Sequence, residues 1–193
     1  MIWFPYQEKV KDFNLLYMLY LYGMAEYDRE TKCRDKIVFS TRKKLAEDIN
    51  AKYNISLSDS TVERLIKKAD SYSFYYKIDF SKNQIKLQND FQKKKQVRFI
   101  TLSDKAFKAL IEQKNDLLCK YYFYLCFNCG KSSTKSIDHT AELILSNMGY
   151  CGTSNKNKSL LYEFNSLLTQ LELITISKKT DEQGHTRNIY KIL

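Results

Sequence analysis

Residues 154–193 read SNKNKSLLYEFNSLLTQLELITISKKTDEQGHTRNIYKIL. A polar lead-in comes first, Ser154 to Ser159, with lysines at 156 and 158. Leu160, Leu161, Phe164, Leu167, Leu168 and Leu171 then recur at the spacing of one helical face. The period shortens after that. Leu173, Ile174 and Ile176 read as a strand, residues 181–184 as a turn closed by Gly184, and residues 188–192 as a second strand. The stretch predicts a helix running directly into a two-stranded hairpin.

Working outward, the same order stands earlier in the chain. Residues 1–12 read as an irregular arm, with Trp3 and Phe4 free to pack on the body. Residues 13–27 form an apolar helix, residues 28–35 a charged loop and residues 37–39 a short β-prone run. Ser40 and Thr41 are candidate caps for a helix that turns Leu45, Ala46, Ile49 and Tyr53 to one side. Ser60 with Glu63 has capping-box spacing and places the next helix start near Ser60. That helix turns Val62, Leu65, Ile66 and Ala69 inward. Residues 74–80 and 84–87 then alternate as strands around Ser81-Lys82-Asn83.

A polar stretch without periodicity, residues 90–96, marks a boundary. Beyond it lie a short strand at 98–102, a helix capped by Ser103, and a second apolar helix at 117–127. A small-polar loop at 131–136 leads to a helix capped by Asp138, with Ala141, Ile144, Leu145 and Met148 inward and Gly149 as its stop. An offset of 99 residues carries Leu45, Ala46 and Ile49 onto Ile144, Leu145 and Met148. It also carries Val62, Leu65, Ala69 and Phe74 onto Leu161, Phe164, Leu168 and Leu173. The repeat is one of pattern, with few identities. Helix, short strand, helix, turn, helix, hairpin is the order of a winged helix. The expected class is therefore α+β, mainly helical, with two tandem winged helix-turn-helix domains at residues 1–92 and 99–193, joined by a basic linker at 93–98.

The 193 residues carry a net charge of +10, with 44% hydrophobic and 28% charged residues. That balance describes a globular chain whose excess of cations suits an anionic polymer, nucleic acid before a membrane surface. One proline and five glycines favour long helices. The start MIWFPYQEKVKD has no cationic segment followed by an apolar one, so no signal peptide is expected. The apolar run at 15–25 is too short to span a bilayer. Five cysteines without framework spacing fit a reduced, cytoplasmic protein.

In a helix-turn-helix reader, the second helix meets the major groove by its N-terminal residues. In the C-terminal copy these are Ser154, Asn155, Lys156, Asn157, Lys158 and Ser159, with Tyr162 one turn on. Asparagine pairs with adenine edges, and lysine reaches guanine or phosphate; the competing account is a solvated polar cap. Lys178, Lys179, His185 and Arg187 flank the hairpin turn, where they suit phosphate or minor-groove contact. In the first copy the matching residues are Ser58, Ser60, Thr61, Arg64, Lys67 and Lys68 at the helix, with Lys82 and Lys86 in the hairpin. Asp59 and Glu63 beside them repel phosphate, which leaves that helix open between DNA and a protein partner. Lys93, Lys94 and Lys95 make the linker basic, either tracking the backbone or simply solvated.

Cys126-Phe-Asn-Cys129-Gly-Lys has the form of one arm of a zinc ribbon, with His139, Cys151 or Cys119 as conceivable further ligands. The second C-x-x-C is missing, and helical spacing among apolar neighbours reads these thiols as small core residues. No metal or cofactor is expected. Neither histidine sits in a nucleophile motif, no phosphate-binding glycine loop occurs, and the carboxylates are scattered, so no catalysis is expected.

Lys120-Tyr121-Tyr122-Phe123-Tyr124-Leu125, residues 144–149, residues 160–171 and Arg187-Asn188-Ile189-Tyr190 together resemble the winged-helix modules of bacterial replication proteins. Such modules occur in plasmid and phage initiators and in DnaD-type primosome proteins. The resemblance covers roughly residues 99–193; for residues 1–92 it is one of architecture. It implies a protein of a mobile element or bacterial chromosome that binds double-stranded DNA in replication initiation or its regulation. Transcriptional regulation, an accessory role in conjugation, and an adaptor role toward replication proteins stay open beside it. So does a homodimer, since the helix at 15–25 can bury itself within its domain or against a second copy.

Overall fold

The computed structural model describes residues 2–5, 14–27, 36–41, 43–71, 77–81, 84–88, 99–184 and 186–193. It is α+β and mainly helical, with seven helices and small antiparallel sheets among the described residues. The chain forms two compact units, Phe13–Val97 and Met1–Asp12 with Arg98–Leu193. The expected irregular arm thus contains a strand, β1 (Ile2–Pro5), which pairs antiparallel with Phe99–Leu102. A four-residue strand has too little sequence to show a period, and its partner lies almost a hundred residues away.

The unit Phe13–Val97 opens with α1 (Leu15–Met24), where Asn14 Oδ1 accepts from the Tyr17 amide at 2.6 Å as N-cap. Every residue from Leu15 to Tyr22 is buried, which explains why the segment shows no amphipathic period. Two short strands follow, β2 (Glu26–Tyr27) and β3 (Lys36–Val38). Then come α2 (Leu45–Tyr53), α3 (Asp59–Ser71) and a hairpin of β4 (Lys77–Ser81) and β5 (Gln84–Gln88). The sheet order is β2-β3-β5-β4, so β3 pairs with the far strand of the hairpin.

Leu45, Ala46, Ile49, Val62, Leu65 and Ile66 are buried as their spacing requires. Tyr53 seals α2 against α1: its hydroxyl donates to Tyr20 O at 2.9 Å, and the two rings lie 4.7 Å apart. The start of α3 differs from the capping-box expectation. Ser58 is the cap, its Oγ accepting from the Thr61 amide at 3.3 Å and contacting the Ser60 and Thr61 hydroxyls. Ser60 therefore lies inside the first turn.

The other unit continues from β6 (Phe99–Leu102) into α4 (Asp104–Gln113) and α5 (Asp116–Lys131), capped by Ser103 and Asn115. The core-facing side of α5 holds Leu118, Tyr121, Tyr122, Leu125 and Cys129. The segment expected as a loop ends in a strand, β7 (Ser136–Ile137). α6 (Ala141–Asn147) is capped by Thr140, not Asp138, since Thr140 Oγ1 accepts from the Leu143 amide at 3.3 Å. Gly149 ends that helix at φ 85°, a conformation that favours glycine. α7 (Asn155–Gln170) leads into β8 (Ile174–Thr180) and β9 (Thr186–Ile192), in the sheet order β7-β9-β8.

Both units therefore run helix, strand, helix, helix, hairpin, with the early strand beside the last one. Six of the residues matched by the 99-residue offset in this unit, Ile144, Leu145, Met148, Leu161, Phe164 and Leu168, are buried, as is Leu173. Among the described residues no helix is long and apolar enough to cross a membrane.

Candidate nucleic-acid interface

The polar lead-in at residues 154–159 forms the cap and first turn of α7, held by Ser154, whose Oγ accepts from the Asn157 amide at 3.4 Å. Leu161, Phe164 and Leu168 turn the opposite side of the helix into the core. This leaves Asn155, Lys156, Ser159 and Tyr162 exposed together, with Tyr162 54% exposed. Two expected readers are committed elsewhere. Asn157 Nδ2 donates to Cys151 O at 3.2 Å, and Lys158 is ion-paired with Glu142 of α6 at 2.5 Å. No acid occupies the first turn of α7, and Glu142 is taken up by Lys158, so the free N–H groups and Lys156 keep this end positive.

The turn before α7 is tight. A Cβ on Gly152 would stand 2.7 Å from Glu142 O and 2.8 Å from Ser146 Oγ. Close approach of α6 and the turn therefore requires the glycine, which sets where α7 begins.

Strand alternation divides the hairpin's cations. Lys178 lies opposite Asn188, and Lys179 opposite Arg187, so each pair shares a face and the two pairs lie on opposite faces. Ile176 and Tyr190, also a matched pair, belong to the face of Lys178 and Asn188 and point toward the helices. The turn itself is formed by Gly184, at φ 82°, whose N–H donates to Asp181 O at 3.0 Å. His185 lies outside the described residues.

On the helix-facing side a concave pocket of about 550 Å³ opens between α7, the approach to α6 and the hairpin. Tyr162, His139, Thr140, Lys178, Arg187 and Asn188 line it. His139 is pinned, with its Nδ1 2.6 Å from the Tyr124 hydroxyl, which also accepts from Asn147 Nδ2 at 3.0 Å. Asn188 Nδ2 contacts the Tyr190 hydroxyl at 3.4 Å. His139 and Thr140 come from the approach to α6 and Asn188 from β9, and no spacing in the sequence groups them with Tyr162.

The remaining core polar groups are structural. Tyr121 hydroxyl donates to the buried Asn165 Oδ1 at 2.5 Å, tying α5 to α7. Burial raises the Tyr121 phenol well above its ordinary range, so it stays a donor. Lys120 is buried and pairs with Asp116 at 2.7 Å. Cys129 contacts Tyr190 O at 3.4 Å, and burial pushes the Cys126 thiol up to about 12. Among the described residues no group of three or more His, Cys, Asp and Glu side chains stands together.

In the unit Phe13–Val97, Arg64 and Lys67 are exposed on α3, and Ser60 and Thr61 bond to Ser58. Asp59 occupies the first turn of that helix. The side chain of Lys68, and Lys82, Lys93, Lys94 and Lys95 altogether, lie outside the described residues. No family model, no curated protein and no solved structure matches the chain.

Proposed function

We propose that the chain is a non-catalytic protein that binds double-stranded DNA through two tandem winged-helix units. α7 is the principal reader, with Asn155, Lys156, Ser159 and Tyr162 toward the groove. Lys178, Lys179 and Arg187 of the hairpin contact the backbone beside it. The observation that carries this reading is the first turn of α7: exposed asparagine and lysine, free N–H groups and no acid, in a chain of net charge +10. The resemblance to winged-helix modules of bacterial replication proteins supports a role in marking an origin or operator on a mobile element. The early strand paired beside the last hairpin strand in each unit supports the winged-helix assignment.

A different partner is favoured for α3. Its first turn carries Asp59, which repels phosphate and suits a basic protein surface such as one of the replication machinery.

Fluorescence anisotropy with random duplex fragments over a salt series tests the main reading. With about six phosphate contacts, affinity falls about a thousandfold between roughly 50 and 200 mM salt. Lys156→Ala lowers the salt slope by about one, whereas Lys158→Ala changes it little because Glu142 already neutralises that ammonium. No binding to duplex at low salt sinks the reading.

A further inference from the structure

The pocket beside α7 has a chemistry that groove reading alone does not use. Tyr162 is an exposed aromatic ring that the core does not require, since Leu161, Phe164 and Leu168 supply the buried side of its helix. It stands at the wall of a concavity of about 550 Å³, within the range of sites that enclose a small ligand. Opposite the ring, the hairpin contributes one cation on the helix-facing side, Lys178, while Arg187, paired with Lys179 on the other face, only borders the wall. Among the described residues neither has a carboxylate partner.

Two further groups are aimed and held. His139 has its Nδ1 engaged by Tyr124, which leaves Nε2 as the nitrogen available to a ligand. Asn188 uses its amide nitrogen on Tyr190, which leaves Oδ1 as an acceptor. A flat apolar surface, a cation for an anion, and a fixed donor or acceptor pair together match a base carrying a phosphate.

We propose that this pocket binds a single nucleoside phosphate. Tyr162 stacks on the base, Lys178 holds the phosphate, and His139 Nε2 and Asn188 Oδ1 meet the base edge. The proposal rests on the nucleic-acid reading of α7 and adds that one nucleotide is bound outside a base stack. The same chemistry arrives either as a free mononucleotide or as an unpaired residue of a strand.

Titration calorimetry of the full chain with dAMP, deoxyadenosine and inorganic phosphate reads the site directly. dAMP binds more tightly than either fragment. Tyr162→Ala weakens it about tenfold, Tyr162→Phe retains it, and Lys178→Ala brings dAMP down to the level of deoxyadenosine. Anisotropy with a duplex carrying one extrahelical nucleotide, against the fully paired duplex, separates the sources. A preference for the former that Tyr162→Ala abolishes assigns the pocket to a strand. Equal affinity for both duplexes, with dAMP binding intact, assigns it to a free nucleotide. dAMP binding no tighter than phosphate, or unchanged by Tyr162→Ala, overturns the proposal. Wild-type affinity for the paired duplex is read separately, so the pocket can fail while duplex binding stands, and the reverse.

Discussion

The two units share an order of elements yet close the same turn by different physics. Between α2 and α3, the Asn50 side chain does the holding: Oδ1 accepts from the Leu57 amide at 2.7 Å, and Nδ2 donates to Leu57 O at 2.8 Å. Between α6 and α7, shape does it. Gly149 takes a left-handed φ, Tyr150 N–H donates to Leu145 O at 2.8 Å, and Gly152 fits under the α6 backbone. The helices that follow also differ in their first turn, which carries an acid, Asp59, on α3 and no acid on α7. The comparison teaches that one architecture tolerates two local solutions. The charge at one helix end then separates what each unit can touch.

Gly152→Ala strikes the steric turn hardest. The added methyl meets a backbone oxygen that cannot swing away, and the unit Arg98–Leu193 loses about 3 kcal/mol. Gly130→Ala is the control, since nothing lies within 4 Å of a Cβ there. Within a helix it gains about 0.5–1 kcal/mol. Far-UV circular dichroism in urea denaturation reads both. Equal midpoints for the two variants would remove the steric account.

The apolar helices α1 and α5 give a second contrast. Tyr121→Phe leaves the buried Asn165 Oδ1 without its donor and costs about 2 kcal/mol. In α1, the buried Tyr17 hydroxyl has no partner among the described residues. Tyr17→Phe is therefore neutral or stabilising, as hydrogen exchange of α1 and α2 would show. Destabilisation there would mean that the hydroxyl is satisfied.

Asn50→Ala has a smaller effect, about 1 kcal/mol, because it removes hydrogen bonds from a half-exposed turn and leaves no clash. Its signature is faster amide exchange at Leu57 and in the first turn of α3, with α7 unchanged.

The smallest separation is in pH. Burial raises the thiol of Cys126 from 9.0 to about 12 and the phenol of Tyr53 from 10.0 to about 12. Both groups are neutral in folded and unfolded chains at lower pH. As pH rises, the unfolded chain ionises first, so stability falls from the unfolded value up toward the folded one. The unit with Cys126 begins to lose stability near pH 9, the unit with Tyr53 near pH 10. Cys126→Ala makes the earlier decline shallower, since burial raises the Cys119 and Cys129 thiols of the same unit as well; simultaneous onsets in the wild type would count against it.

Much of the helix order was legible because burial on one side imposes a period on the residues that pay the cost of exposure. Leu45, Ala46 and Ile49, and their counterparts Ile144, Leu145 and Met148, announce their helices in this way. The hairpin of β8 and β9 was legible from alternation and from Gly184. The caps were not: Ser58 and Ser60, or Asp138 and Thr140, offer similar oxygens within two residues. Only the backbone path selects which one meets an amide.

Short strands were equally hidden. β1 and β7 are too brief for a period, and their stability comes wholly from partners far along the chain. The candidate interface divides along the same line. The polarity of residues 154–159 is written in the chain, since solvent-facing helix ends accept polar side chains at little cost. That Glu142 holds Lys158 while Lys156 stands exposed was decided by packing α6 on α7. The pocket also arose there, because a local pattern records which face of an element is buried but not which distant face lies opposite.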